Sequence, residues 1–581
     1  MLLKLLIQYS KPYAAWIVAV VVLQLLSTIA ALYLPSLNAS IIDEGVSKGD
    51  TDFIWRTGGV MLAVAFAQVI TAILAVYFGA KTSMAVGRDL RRAVFRNVSA
   101  FSAREVNSFG AATLITRNTN DVQQVQMLLL MALNFMVSAP IMCVGGVIMA
   151  LREDIGLSWL VWVSVPLLGI VVGILVALLM PMFRTMQDRL DGMNGVLREQ
   201  ITGIRVIRAF TREKYETERF DAANLRLTEI GVKVGQIFVL MFPLIMMILH
   251  LSTAAVLWFG GQRVDSGEMQ VGALTAFLQY LLQILMAVMM GTFMAMMIPR
   301  AVVCAERIDE VLSTRSTLED PKVSVAGVAA PVDGAPAVEF KNVSFVYPGA
   351  EKPILNNISF TAPVGKTTAI IGSTGAGKTT LLNLIPRLYD PDQGEVLLDG
   401  RPTKTLPREE ISRLVSAVPQ KPFLFSGTVA TNLRFGAENA TDEELWEALR
   451  IAQAEDFVRE KGDGLDLKIA QGGTNVSGGQ RQRLCIARSL ASKPQVYLFD
   501  DSFSALDVTT DARLRAALAD TTKNAAVIIV AQRVSTITGA DQILVMEHGE
   551  IVGRGTHEEL LESNETYREI VESQISAEEV A

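Results

Sequence analysis

Apolar residues crowd into six long runs within the first 300 positions, at roughly 14–34, 58–80, 127–150, 156–180, 235–260 and 272–298. Each run approaches or exceeds the ~20 apolar residues needed to cross a hydrocarbon layer ~30 Å thick. Runs of that length without charge predict six membrane-spanning helices, not the core helices of a soluble domain. The first is long and is followed by no small-residue cleavage site, so it is read as a span and not as a removable leader. An even number of spans leaves both ends of the chain on one side.

Basic residues orient those spans. The connection between the second and third holds Lys81, Arg88, Arg91, Arg92, Arg96, Arg104 and Arg117. The connection between the fourth and fifth holds ten, from Arg184 and Arg189 through Arg205, Arg208 and Arg212 to Lys233. The opposite connections are short and carry few, which places both long basic connections in the cytoplasm. Residues 182–233 have few glycines and keep helical spacing at Val206, Ile207 and Phe210, so the spans are expected to continue as helices tens of ångströms beyond the membrane. Their tips are expected near 110–121 and 202–212.

After a short helix at 301–312 the pattern changes. Residues 313–337 are rich in Ser, Ala, Val, Pro and Gly and lack periodicity, as a linker does. An alternating strand follows at 338–347, then apolar strands at 367–371, 495–499 and 526–530 interleaved with helical stretches. That order predicts an α/β domain with a mostly parallel sheet. The expected division is a transmembrane domain at 1–312, a linker at 313–337, a nucleotide-binding domain at 338–570 and a short acidic tail at 571–581, outside the folded part.

Of the 581 residues 51% are hydrophobic and 19% charged, with a net charge of −7, which argues against a nucleic-acid partner. Cys143, Cys304 and Cys485 have no metal-binding spacing and are expected to be buried thiols.

The second domain carries the specific chemistry. Gly372-Ser373-Thr374-Gly375-Ala376-Gly377-Lys378-Thr379, followed by Thr380, lies between a strand and a helix. Its glycines let backbone N–H groups turn toward a β-phosphate, and the helix N-terminus adds its positive end. Lys378 supplies a charge to the β- and γ-phosphates, and Thr379 can offer its hydroxyl to Mg²⁺. Further on stands Val476-Ser477-Gly478-Gly479-Gln480.

With these motifs, six spans and long intracellular helices, nearly the whole chain resembles a half-transporter of the ATP-binding cassette (ABC) exporter family. The resemblance implies a polytopic α-helical membrane domain of exporter type fused to an α/β P-loop NTPase. It also implies that Tyr347 stacks on adenine, that Gln420 senses Mg²⁺ and the attacking water, and that Asp500 holds the metal through water. Ser504-Ala505-Leu506-Asp507 matches the loop that passes between two cassettes. In that family two cassettes pair head to tail, and each ATP lies between one phosphate loop and the other chain's signature, here Ser477, Gly478, Gly479 and Gln480. One intracellular tip docks on the opposite cassette.

Three positions depart from the family pattern. The catalytic glutamate position holds Asp501, the switch-histidine position holds Gln532, and Gln471 stands where a glutamate is usual. Asp501 is one methylene short, and misplacement on the ångström scale costs about 10²-fold in rate. Gln532 has no proton that titrates near neutrality. The expected partner is therefore a second, different half-transporter carrying Glu and His at those positions. The alternatives are a homodimer that hydrolyses slowly, an ATP-gated membrane regulator, and an importer on the exporter fold.

The spans carry few charges, which favours amphipathic or apolar cargo and contact with membrane lipid. Met241, Met246, Met247, Met286, Met289, Met290, Met294, Met296 and Met297 suit either an adaptable ligand surface or helix packing. His250, in the fifth span, suits either substrate contact or a bond to a neighbouring helix. Gln24, Gln68, Asn134, Gln279 and Gln283 are expected as interhelical glue, and Pro166 and Pro243 as sites of kinking. The expected location is the plasma (inner) membrane, with the nucleotide-binding domain in the cytoplasm.

Overall fold

The computed structural model describes residues 1–318, 321, 330–347 and 349–580, with side chains excepted at 292, 293, 295, 296, 508 and 575–580. Ten of the 25 expected linker residues, 319, 320 and 322–329, thus lie outside the described residues. The chain divides into two compact units, Met1–Ala100 with Phe109–Arg315, and Phe101–Ser108 with Ser316–Ala581.

Six long helices build the first unit: Ala14–Ser40, Thr51–Ala100, a broken run over Ala111–Glu153, Trp159–Thr202, Glu213–Asp265 and Val271–Ser313. Five of the six apolar runs fall inside them, and the fourth, 156–180, enters its helix at Trp159. At 1.5 Å per residue the 50-residue helix Thr51–Ala100 extends about 75 Å, well beyond a ~30 Å membrane core. Its two faces are sorted by helical spacing. Ala75, Gly79, Thr82, Val86, Leu90 and Val94 are buried, whereas Leu62, Phe66, Val69 and Ile73 form an exposed apolar stripe. Only lipid makes such an exposed stripe inexpensive. The helices run on through Pro166 and Pro243, because proline costs one backbone bond that a long helix can lose.

The last helix is the hub, with Phe277, Tyr280, Leu281 and Ile284 fully buried. The Tyr280 hydroxyl donates to the Leu32 carbonyl at 2.9 Å, and Gln283 donates to Ala31 at 3.5 Å. Asp43 accepts the N–H groups of Gly272 and Ala273 at 2.6 and 3.2 Å and so caps that helix. Asn134 instead bonds Leu130 within its own helix.

The second cytoplasmic tip falls where expected, at the short helix Ile204–Ala209. The first does not. The chain reverses at Phe101–Ser108, and Gly110, with φ +77°, already starts the return. Arg117 and Asp121 lie on the returning helix, buried, and pair with Glu310 (2.7 Å) and Arg307 (3.8 Å) of the last helix. A tip is expected at this stretch, but its Arg117 and Asp121 serve helix-to-helix ion pairs.

In the second unit a six-stranded sheet runs, in spatial order, Glu550–Gly555, Gln542–Glu547, Thr367–Gly372, Ala526–Val530, Val496–Asp500, Val415–Val418. All its pairings are parallel except at the Glu550–Gly555 edge. Val496–Asp500 and Ala526–Val530 are buried at every position, as strands covered on both faces must be. The alternating run belongs to a separate antiparallel sheet, Leu355–Ala362, Val338–Phe345, Gln393–Leu398 and Arg401–Pro402, where one face is half exposed. The chain beyond 570 also differs from expectation: Glu565–Val580 is one helix, held in the core by Tyr567 and Val571.

The Phe101–Ser108 segment is fastened inside this second unit by Glu105, which is 6% exposed. Its carboxylate accepts the Ser102 N–H (2.8 Å), the Ser102 hydroxyl (2.6 Å) and the Thr317 N–H (3.3 Å). Burial pushes this carboxyl up, but the hydrogen bonds from Ser102 and Thr317 together outweigh it and hold the group below the ordinary carboxylate range. The stabilisation is therefore present above the usual glutamate range and is lost as pH falls through and below it. Glu105→Ala should cost about 1–3 kcal/mol locally, seen as faster hydrogen exchange at residues 101–108, and wild type should loosen the same segment on acidification below pH ~4.

Candidate ATP-binding site

The parallel strands deliver the site. Thr367–Gly372 lies between Ala526–Val530 and Gln542–Glu547, and Gly372 pairs with Met546. A Cβ at Gly372 would stand 2.1 Å from the Met546 carbonyl oxygen, so glycine is required where the strand opens into the loop. Ser373, Thr374 and Gly375 are exposed, and the helix Lys378–Leu384 begins immediately after Gly377. Lys378 Nζ donates to the carbonyls of Gly372 and Ser373 at 2.7 and 2.8 Å. Buried Thr380 carries a hydroxyl 3.2 Å from that of Tyr347, whose ring packs edge-on against Phe345 and Tyr389.

The neighbouring strand ends in Asp500 and Asp501. The Thr379 hydroxyl donates to Asp500 at 3.2 Å, which joins the phosphate loop to the carboxylate pair. Burial is the largest influence on all three charged groups. It pushes the Asp500 and Asp501 carboxyls up, with Asp501 adding to the rise at Asp500, and it pushes the Lys378 ammonium down. Thr379 and Lys378 oppose the rise at Asp500, while Gln420, Ser504, Lys378 and Arg533 oppose it at Asp501. A desolvated lysine beside exposed loop N–H groups favours an anion. Hydroxyl, carboxylate and amide oxygens from Thr379, Asp500 and Gln420 are the hard donors that Mg²⁺ takes.

Asp501 adopts φ +49°, a conformation uncommon outside glycine, directly after a fully buried strand. Its N–H donates to Val530 at 2.9 Å. Gln532, which follows the adjacent strand, donates from Nε2 to Asp501 Oδ2 at 2.8 Å. The two unusual residues are therefore direct partners. Spacing along the sequence did not show this, because they stand 31 residues apart.

The remaining predicted residues assemble elsewhere. Ser477 caps the helix Gly478–Ala491 through a reciprocal pair with Gln480, at 3.2 and 3.0 Å. Gly478 faces open space, and Gly479 packs against Ala505. Asp507 caps the helix Val508–Thr521 and lies near Arg483 of the signature helix. Among the described residues Ser477 and Gln480 are not bonded to the phosphate loop. The predicted residues thus fall into two groups among the described residues: 372–380 with Tyr347, Gln420, Asp500, Asp501 and Gln532, and 477–480 with Asp507. Two contributors escaped the sequence reading. Buried Ser502 donates to Val418 at 3.1 Å, and Gln574 reaches the loop that carries Gln532. The helical spacing of Tyr567, Ile570, Val571 and Gln574 was the available signal.

Two apolar hollows lie among the described residues of the spans. One, of about 320 Å³, is lined by Met136, Pro140, Cys143, Val288 and Met294. The other, of about 270 Å³, is lined by Met142, Met286 and Met290, with Ser138 and Gln283 the polar members. Met241 is instead core, and His250 is exposed and lines neither hollow; the Met296 side chain lies outside the described residues.

Residues 17–288 match the family model of the ABC transporter transmembrane region, and residues 355–504 match that of the ABC transporter. An uncharacterised ABC transporter ATP-binding protein of Mycobacterium tuberculosis is 50% identical over 580 residues, covering 99% of this chain and 98% of that protein. A Bacillus subtilis protein of the same description is 36% identical over 572 residues, covering 98% of each chain. An ATP-dependent lipid A-core flippase of Escherichia coli is 29% identical over 560 residues, covering 96% of this chain and 95% of the flippase. The fold matches that of a bacterial Atm1-family ABC exporter with ATP bound, at a TM-score of 0.79 and 23% identity over 96% of this chain and 99% of that one. The chain belongs to the ABC transporters: it is a multi-pass membrane half-transporter of exporter type, whose cytoplasmic cassette uses ATP hydrolysis to drive transport.

Proposed function

We propose that this chain is the degenerate half of a heterodimeric exporter. Its phosphate loop binds ATP·Mg²⁺ in a site that hydrolyses poorly, and its signature completes the competent site of a partner half-transporter. The observation that carries this reading is the 2.8 Å bond from Gln532 to Asp501. A base for the attacking water must reach it with a free lone pair. Asp501 is one methylene short, and one of its oxygens already accepts the Gln532 amide.

In this reading Tyr347 stacks on adenine, the N–H groups of residues 373–379 cradle the phosphates, and Lys378 neutralises them. Thr379 and Asp500, with Gln420, hold Mg²⁺, whose charge supports the leaving phosphate. Across the dimer Ser477, Gly478 and Gly479 cap the partner's γ-phosphate, and Asp507 lies in the loop between the cassettes. A homodimer with slow turnover is the second reading, favoured by the carboxylate that Asp501 retains beside Lys378.

The cargo in this reading is amphipathic or apolar. Methionine-lined hollows with two polar side chains suit varied apolar ligands, and the Escherichia coli relative is named for moving a lipid.

In nanodiscs this chain alone should show negligible ATP turnover, and robust turnover once a complementary half-transporter is present; robust turnover alone would replace the heterodimer with the homodimer. Asp501→Glu combined with Gln532→His should raise turnover at the chain's own phosphate loop by on the order of 10²-fold, and no gain would remove the degenerate-site argument. Ser477→Ala should lower turnover of the pair by on the order of 10²-fold while nucleotide trapping at this chain's own loop persists; full activity would refute the cross-site assignment.

A further inference from the structure

The loop carrying Gln532 is gripped from outside the nucleotide site. Gln574, on the C-terminal helix Glu565–Val580, donates from Nε2 to the Gln532 carbonyl at 2.7 Å. Its Oε1 accepts the Val534 N–H at 2.8 Å. A glutamine side chain ends in the same donor–acceptor pair as a peptide group. Gln574 therefore pairs with Gln532 and Val534 as a neighbouring strand would, although the strand itself has ended at Val530. The helix that presents it is anchored by fully buried Tyr567 and by Val571, which share a core with Val534 and Ile537. On the other flank Arg515 donates to the carbonyls of Ser535 and Thr536 at 3.2 and 3.5 Å. With the backbone held on both sides, the Gln532 side chain is left aimed at Asp501.

We infer that Gln574 is a positioning residue: it fixes the backbone of Gln532 so that this side chain addresses Asp501 and the γ-phosphate end of the site. Only a side chain that donates and accepts at once serves both bonds. Glutamate keeps the Val534 bond but turns an oxygen toward the Gln532 carbonyl, and leucine keeps the shape and neither bond.

The inference rests on the chain binding ATP at its own loop and not on how fast that loop hydrolyses it. A finding of robust turnover by a homodimer would leave it standing. The test uses the full chain in nanodiscs with fluorescent (N-methylanthraniloyl) ATP and ADP, together with hydrogen exchange. Gln574→Leu should speed exchange at residues 531–536 at least about tenfold and leave residues 565–572 protected. It should lower affinity for the ATP analogue about tenfold while that for the ADP analogue, which lacks the γ-phosphate, stays unchanged. Gln574→Glu should fall between leucine and wild type, and it carries the test if the leucine variant does not fold. Unchanged exchange at 531–536, or an unchanged ratio of ATP to ADP affinity, would overturn the assignment. So would an equal loss for both nucleotides with a lowered melting temperature, which would mark Gln574 as structural only.

Discussion

The phosphate loop, the Asp500–Asp501 pair and the Gln532 loop hang from the parallel pairing of three strands. Ala526–Val530 lies between Thr367–Gly372 and Val496–Asp500, with Val530 in register with both Ile370 and Asp500. Parallel strands end on the same side, so one edge gathers the phosphate loop, the Asp500–Asp501 pair and the Gln532 loop. The strands are buried along their length, and their charged ends are desolvated with them. That burial displaces Lys378, Asp500 and Asp501 from their usual ionisation ranges.

The membrane unit obeys the opposite solvent. Large apolar side chains stand exposed along its helices, while ion pairs sit at helix ends, as in Asp154 with Arg263 at 3.1 Å and Arg117 with Glu310 at 2.7 Å. Charge is placed where water or another charge can meet it, and the middle of each span is left to apolar packing. The hollows along the helices follow the same rule, because methionine lines them without demanding a fixed partner.

In the proposed reading, binding chemistry and hydrolytic chemistry separate within the one cassette. Lys378 bonds the phosphate-loop backbone and Thr379 bonds Asp500, while Ser477 and Gln480 form a well-capped helix end beside open space. The changed pair has become a mutual contact: Gln532 bonds Asp501, and the backbone beneath it is braced by Gln574 and Arg515.

Much of this was legible locally. Apolar run length gave the six spans, basic residues gave their orientation, and contiguous motifs gave the phosphate loop and the signature, because each is a property of neighbouring residues. The errors lay where local character has two uses. The length of the helical continuations places the stretch 110–121 at a tip, yet Arg117 and Asp121 serve buried ion pairs. The acidic end looked like a tail, yet Tyr567 and Val571 bury its helix. By itself the sequence determined which residues are present and the period of each element. Only the tertiary structure decided that Asp501 meets Gln532, 31 residues on, and that Gln574 meets Val534, 40 residues back. Such bonds depend on where strands end and helices pack, and the order of residues along the chain holds neither distance.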